Sequence, residues 1–88
     1  MEYDHTSLQS DKPAAQAQDS AARLHRAVTQ AMSHPTDQMI QQADNTLTHT
    51  EQAVRQAQQS SGEPGAALAQ EMLEDERERL SSLHRQNQ

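Results

Sequence analysis

Residues 36–59 read TDQMIQQADNTLTHTEQAVRQAQQ, and apolar side chains recur along them at alternating steps of three and four. The residues that keep this spacing are Ile40, Ala43, Leu47, Val54 and Ala57, with Thr50 in the remaining slot. Because an α-helix turns once every ~3.6 residues, the spacing places them in one narrow stripe. The other positions are polar, charged or small, so this stretch predicts an amphipathic helix that packs through its stripe.

The same spacing occurs before the break at residues 33–37 (SHPTD). Pro13 can open a helix, because proline tolerates the first turn, where its missing N–H would have no partner. From Pro13 to Met32 the stripe consists mostly of alanine: Ala14, Ala17, Ala21, Leu24, Val28 and Ala31. The residue before Pro35 avoids the helical region, Ser33 or His34 can cap a helix end, and Thr36 and Asp37 suit the first turn of the next helix. The sequence therefore predicts helices over 13–32 and 36–59.

A second break, residues 60–65 (SSGEPG), combines the helix-stopping Gly62 with the helix-starting Pro64. A third helix is predicted from about 66 to 84, with a stripe of Ala66, Ala69, Leu73, Leu80 and Leu83, widened by Leu68 and Met72. Glu76 stands where an apolar residue was due. Either it reaches an arginine at the end of the bundle, or the seam opens to water there.

These helices predict an all-α domain over 13–88, either an up-down-up three-helix bundle or a helical hairpin with a loosely attached first helix. Residues 1–12 are polar around the isolated Tyr3 and Leu8, which is typical of a disordered tail. The chain has seven Leu, one Ile, two Val and four Met, with Tyr3 its only aromatic residue. Because this core is thin, we expect a marginal monomer that self-association stabilises.

Composition excludes several classes of function. The chain lacks cysteine, which excludes disulfides and thiolate metal sites, and its net charge of −6 with only seven scattered Lys and Arg disfavours nucleic-acid binding. No run approaches the ~20 apolar residues of a membrane span, and the first residues do not read as a signal peptide. We therefore expect a cytoplasmic protein that binds neither nucleic acid nor membrane, with no cofactor and no small-molecule substrate.

The histidines are the candidate ligands or bases: His5, His25, His34, His49 and His84. No two of them lie three or four residues apart, and none has a carboxylate four residues away. Metal ligands or an acid–base pair on one helix would need that spacing. We therefore expect solvated or capping histidines, no metal site and no catalytic residue, and hence no enzyme.

Charge is densest at residues 71–79, EMLEDERER. Asp75 and Arg79 are spaced to pair, as are Asp19 with Arg23 and Glu51 with Arg55 in the other helices. Glu71 with Asp75 and Glu74 with Glu78 repel at the same spacing, so part of the acidity is uncompensated. The cluster is consistent either with a solvated helix face or with a docking surface for a basic partner.

The second half of the chain also carries a resemblance. The matching residues are Leu47, Ala53-Val54, Ala57, Ser61-Gly62, Leu68, Leu73, Leu80 and His84. In these the chain resembles a family of small uncharacterised cytosolic proteins of bacilli, which share an Ala- and Gln-rich helix, a Gly-containing break and a final helix ending near a histidine. The chain departs from that pattern in Pro64 and in its denser acidic run. The resemblance implies no activity.

Two hypotheses for function follow. The first is a non-catalytic helical protein that associates with itself or with another helical protein through apolar seam residues, namely Ile40, Leu47, Val54, Leu73 and Leu80. The alternative is an acidic regulator that sequesters a basic protein surface through Glu71, Glu74, Asp75 and Glu78.

Overall fold

The computed structural model describes residues 12–60 and 65–87, which form three α-helices and no strand. The helices are α1 (Pro13–Ser33), α2 (Asp37–Gln59) and α3 (Gly65–Gln86). Each packs against the other two, so the fold is the predicted all-α three-helix bundle, and α1 is an integral part of it. The predicted tail lies outside the described residues except for Lys12, as do Gly62 and Pro64 of the second break.

The ends of α1 and α2 follow from local chemistry. Pro13 is the first residue of α1, and the backbone N–H of His34 closes its last turn by donating to the Gln30 carbonyl. Thr36 caps α2 instead of lying within it, because its extended backbone lets Oγ1 accept from the Met39 N–H at 3.1 Å. Asp37 adds negative charge to the positive end of the helix dipole.

Side-chain contacts between helices establish the up-down-up arrangement. Gln18 of α1 donates to the carbonyl oxygen of Gly65 at the start of α3, and Thr29, further along α1, accepts from Arg79, further along α3. These two helices are therefore parallel. Contacts between α2 and α3 run in the opposite sense: Gln58 with Gln70, Glu51 with Arg77 and Asp44 with His84.

The core lies along the common axis of the three helices. Its buried apolar residues are Ala14, Ala17, Ala21, Leu24, Val28, Ala31, Ile40, Ala43, Val54, Ala57, Ala66, Ala69, Leu73, Leu80 and Leu83. Thr50 is fully buried in the remaining slot of the α2 stripe, and its hydroxyl lies 2.8 Å from the Thr46 carbonyl and 3.1 Å from the Ser20 carbonyl of α1. The predicted stripes thus face one another within a single chain.

Two leucines depart from the predicted stripes. Leu47 packs against the core but remains partly exposed, although it occupies the centre of the α2 stripe. Leu68 is 51% exposed, so the prediction that it widens the α3 stripe is wrong. Each residue turns the helix by about 100°. Leu68, one position before the buried Ala69, is therefore turned away from the core.

Candidate functional site

The side of α3 that packs in the bundle contains one buried charged residue, Glu76. It lies in the middle of the helix and is only 6% exposed. Its Oε2 lies 2.7 Å from Nδ1 of His25 on α1, and Arg79 donates to its Oε1 at 2.7 Å. A buried carboxylate without partners would be strongly destabilising, so these two contacts are what allow Glu76 to occupy an apolar slot.

Arg79 also extends this network to α1. Its Nη2 donates to Oγ1 of Thr29 at 3.2 Å and contacts Sδ of Met32 at 3.3 Å. The arginine partner expected for Glu76 is therefore present, but it lies within the seam between α1 and α3 and not at the end of the bundle. The network joins two helices whose contact is otherwise mostly apolar.

The role of Nδ1 of His25 depends on the tautomer of the ring. With the hydrogen on Nδ1, the ring donates to the Glu76 carboxylate at 2.7 Å. Nη1 of Arg79 lies 3.0 Å from the same nitrogen and donates to Glu76. The His25 side chain is 59% exposed, which leaves its other face to solvent.

Neither arginine of the acidic run pairs with one of its exposed carboxylates. Arg79 pairs with Glu76, and Arg77 donates to Oε2 of Glu51 on α2 at 3.0 Å. The predicted pairs of Asp75 with Arg79 and of Glu51 with Arg55 are therefore wrong. A carboxylate that is partly or fully removed from water attracts a cation more strongly than an exposed neighbour on the same helix does.

The third predicted pair is also not formed. Asp19 and Arg23 are both exposed on α1, and the ion pairs among residues 12–60 and 65–87 do not include them. An exposed pair at this spacing gains only about 0.3–0.5 kcal/mol, which is little against the entropy of two long side chains.

The opposite side of α3 carries four exposed carboxylates, which we call the acidic face: Glu71, Glu74, Asp75 and Glu78. They fall within an arc of about 100°, given the turn per residue of an α-helix. Within the described ranges, no Lys, Arg or His forms an ion pair with them. Glu74 accepts a hydrogen bond from the neutral Gln70 amide at 2.7 Å. Like charges are thus left adjacent on one helix face.

The apolar residues predicted to form an interaction seam are used inside the chain. Ile40, Val54, Leu73 and Leu80 are all buried among the three helices, and Leu47 is partly exposed beside them. The two large apolar side chains found to be well exposed in the described part are Met32 and Leu68. The structure therefore brings the apolar candidates together as a core and presents the acidic candidates to solvent.

The described histidines are exposed or capping, as predicted. His34 is a capping residue, His49 is exposed, and His5 lies outside the described residues. His25 and His84 are also exposed, but each makes a contact that was not predicted: His25 with Glu76, and His84 through Nε2 at 2.8 Å from Oδ1 of Asp44. Both contacts join residues far apart in sequence. The one local sign of such a contact was Glu76, a charged residue at a position where the stripe of α3 required an apolar one.

No group of three or more His, Asp or Glu side chains in the described part of the chain is arranged to hold a metal ion. None of the three helices is long and apolar enough to cross a membrane. No family model matches the chain, and searches of curated proteins and of solved structures gave no match.

Proposed function

We propose that this chain is a non-catalytic, cytoplasmic helical protein that binds a basic surface of a protein partner through its acidic face. The observation that carries the proposal is that four exposed carboxylates lie together without a counter-charge, while both neighbouring arginines contact carboxylates elsewhere. Adjacent like charges destabilise the helix that bears them. A cationic partner removes this repulsion on binding.

The apolar seam residues are mostly buried within the bundle, whereas the acidic face is exposed, and this favours the acidic face as the binding surface. The seam residues are in contact within one chain, and exposing them would unfold the bundle. Met32 and Leu68 are isolated exposed side chains, and scattered apolar residues of this kind are normal on a protein surface. Binding through charges accelerates association and weakens with salt, whereas binding through an apolar seam does not weaken in this way.

A lysine-rich helical peptide, labelled for fluorescence anisotropy, tests the proposal. We expect the peptide to bind at about 0.02 M salt and its affinity to fall at least ~10-fold at about 0.5 M salt. At the higher concentration the screening length is only a few ångströms, so charges attract each other only at close range. The double variant Glu74→Gln/Glu78→Gln removes two charges from the acidic face and should weaken binding at low salt. The matched control Asp37→Asn/Asp44→Asn removes the same charge from α2 and should bind like the wild type.

Circular dichroism of both variants verifies that the bundle persists. Equal binding by the wild type and the acidic-face variant would overturn the proposal, because the charges at issue would then contribute nothing. Binding that does not respond to salt would overturn it as well, since that behaviour indicates an apolar contact.

A further inference from the structure

The face of the bundle formed by α1 and α2 alone carries a polar groove. Two adjoining depressions between these helices share Arg23 and His49, so they form one continuous surface, and no residue of α3 lines it. We call this surface the α1–α2 groove. Its lining consists largely of glutamine, asparagine and threonine side chains, with the small Ala27 and Ala53 between the two helices.

Charge in the groove is mainly positive. Arg23 and Arg26 are exposed there, and among the described residues neither forms an ion pair with a carboxylate. Asp19, towards one end, is the one acid that lines it. His49 adds a ring that can donate a hydrogen bond. On a chain with a net charge of −6, this is a surface to which a carboxylate is attracted.

The dimensions of the groove suit a helix. It runs from Gln16 to Gln30 along α1, about 21 Å at 1.5 Å per residue. The acidic face covers residues 71–78 of α3, about 10 Å on the same scale, and is exposed to solvent. Small residues at Ala27 and Ala53 let another helix approach closely between α1 and α2. The groove therefore has the length, the positive charge and the small residues between its two helices that binding of an acidic helix requires.

We infer that the acidic face of one copy binds in the α1–α2 groove of a second copy. This inference rests on the proposed function, because it identifies the basic surface that the acidic face contacts. The two surfaces are made of different residues on different helices, so each contact joins unlike surfaces. A pair joined by one such contact still presents one unused groove on one copy and one unused acidic face on the other, and association therefore continues into short chains unless the geometry closes a ring.

Sedimentation velocity at about 0.02 M salt tests the inference with two complementary variants. The groove variant, Arg23→Gln/Arg26→Gln, keeps its acidic face, and the face variant, Glu74→Gln/Glu78→Gln, keeps its groove. The wild type should increase in mean mass from micromolar to millimolar concentration and return to the monomer at about 0.5 M salt. Each variant alone should remain monomeric, because one of its two surfaces has lost two of the charges that attract the other.

An equimolar mixture of the two variants gives the decisive result. The intact face of the groove variant can bind the intact groove of the face variant, but neither end can then extend. We expect a species of twice the monomer mass and nothing larger. The control Arg55→Gln/Arg85→Gln removes the same charge outside the groove and should associate like the wild type.

Three results would overturn the inference: a wild type that stays monomeric at low salt, variants that associate alone as the wild type does, or a mixture that forms no dimer. The lysine-rich peptide separates this failure from failure of the proposed function. A protein that binds the peptide through its acidic face but does not self-associate has a basic partner other than itself. Circular dichroism of every variant ensures that loss of association is not loss of folding.

Discussion

Replacing Glu76 with alanine removes the one buried charged side chain from the packed face of α3. Two charge-assisted contacts are lost, those to His25 and Arg79, each 2.7 Å long. Removing one partner of a fully buried pair costs about 3–5 kcal/mol. Here the partners are 59% and 33% exposed, so both can turn to water. We therefore expect a smaller loss, about 1.5–3 kcal/mol of unfolding free energy.

Glu76→Leu should behave in the opposite way. A leucine at this position buries apolar area worth about 1.5–3 kcal/mol and needs no polar partner. Replacing buried ionic groups with apolar ones of similar volume is often neutral or stabilising. We expect a raised Tm. In the wild type, alternative helix alignments that bury the Glu76 carboxylate without a partner are unfavourable. A leucine at this position removes that penalty, so we also expect a broader distribution of oligomers.

Urea unfolding followed by circular dichroism measures these effects, with Glu74→Ala as the control on the exposed side of the same helix. A double-mutant cycle of Glu76→Ala with Arg79→Ala isolates their interaction, which we expect to be about 1–2 kcal/mol. The reasoning is refuted if Glu76→Ala costs no more than Glu74→Ala, or if the cycle shows no coupling. A Glu76→Leu variant that is stabilised but keeps a single unchanged mass would show that Glu76 does not control assembly.

Five further substitutions at four positions test the packing, each by the same unfolding measurement. Leu80 is only 1% exposed, so Leu80→Ala should lower the free energy of unfolding by about 2–5 kcal/mol. Leu47 is partly exposed, so Leu47→Ala should lower it by about 1–2 kcal/mol. Gln52 is exposed, and Gln52→Ala should be near neutral. Equal losses at positions 80 and 52 would contradict the core. Thr50→Val should remain within about 1 kcal/mol of the wild type, because both carbonyls near the hydroxyl lie within helices, and Thr50→Ala should cost more by leaving a void. A larger loss for valine than for alanine would show that the hydroxyl matters more than the volume.

The helices were predictable because each is encoded locally. The stripe of α2 and the break at Pro35 depend on spacing and backbone restrictions within one turn or two. Exposure within a stripe was not predictable to the same degree. Leu47 and Leu68 are apolar residues whose burial depends on where the neighbouring helices lie, and one helix pattern does not contain that information.

The polar network was only half predictable. Glu76 in an apolar slot required a cation, and Arg79 was the nearby candidate. His25 lies 51 residues away and has no spacing signal that could join it to Glu76. The acidic face is left uncompensated because Arg77 contacts Glu51 of α2 and Arg79 contacts the buried Glu76 together with Thr29 and Met32 of α1, and these positions follow from how the helices pack. The α1–α2 groove was missed entirely, because its residues come together only when two antiparallel helices pack.

The central claim is that the apolar stripes are satisfied within one chain, so that any association occurs through charged surfaces. Sedimentation equilibrium combined with circular dichroism, across a dilution series at about 0.5 M salt, tests it most directly, because this salt concentration screens surface charges and leaves apolar contacts intact. The account predicts a helical monomer whose ellipticity per residue is constant on dilution to low micromolar concentration. An oligomer that persists at this salt concentration, or helix that melts as the protein is diluted, would show that the stripes need a second chain and would contradict the account.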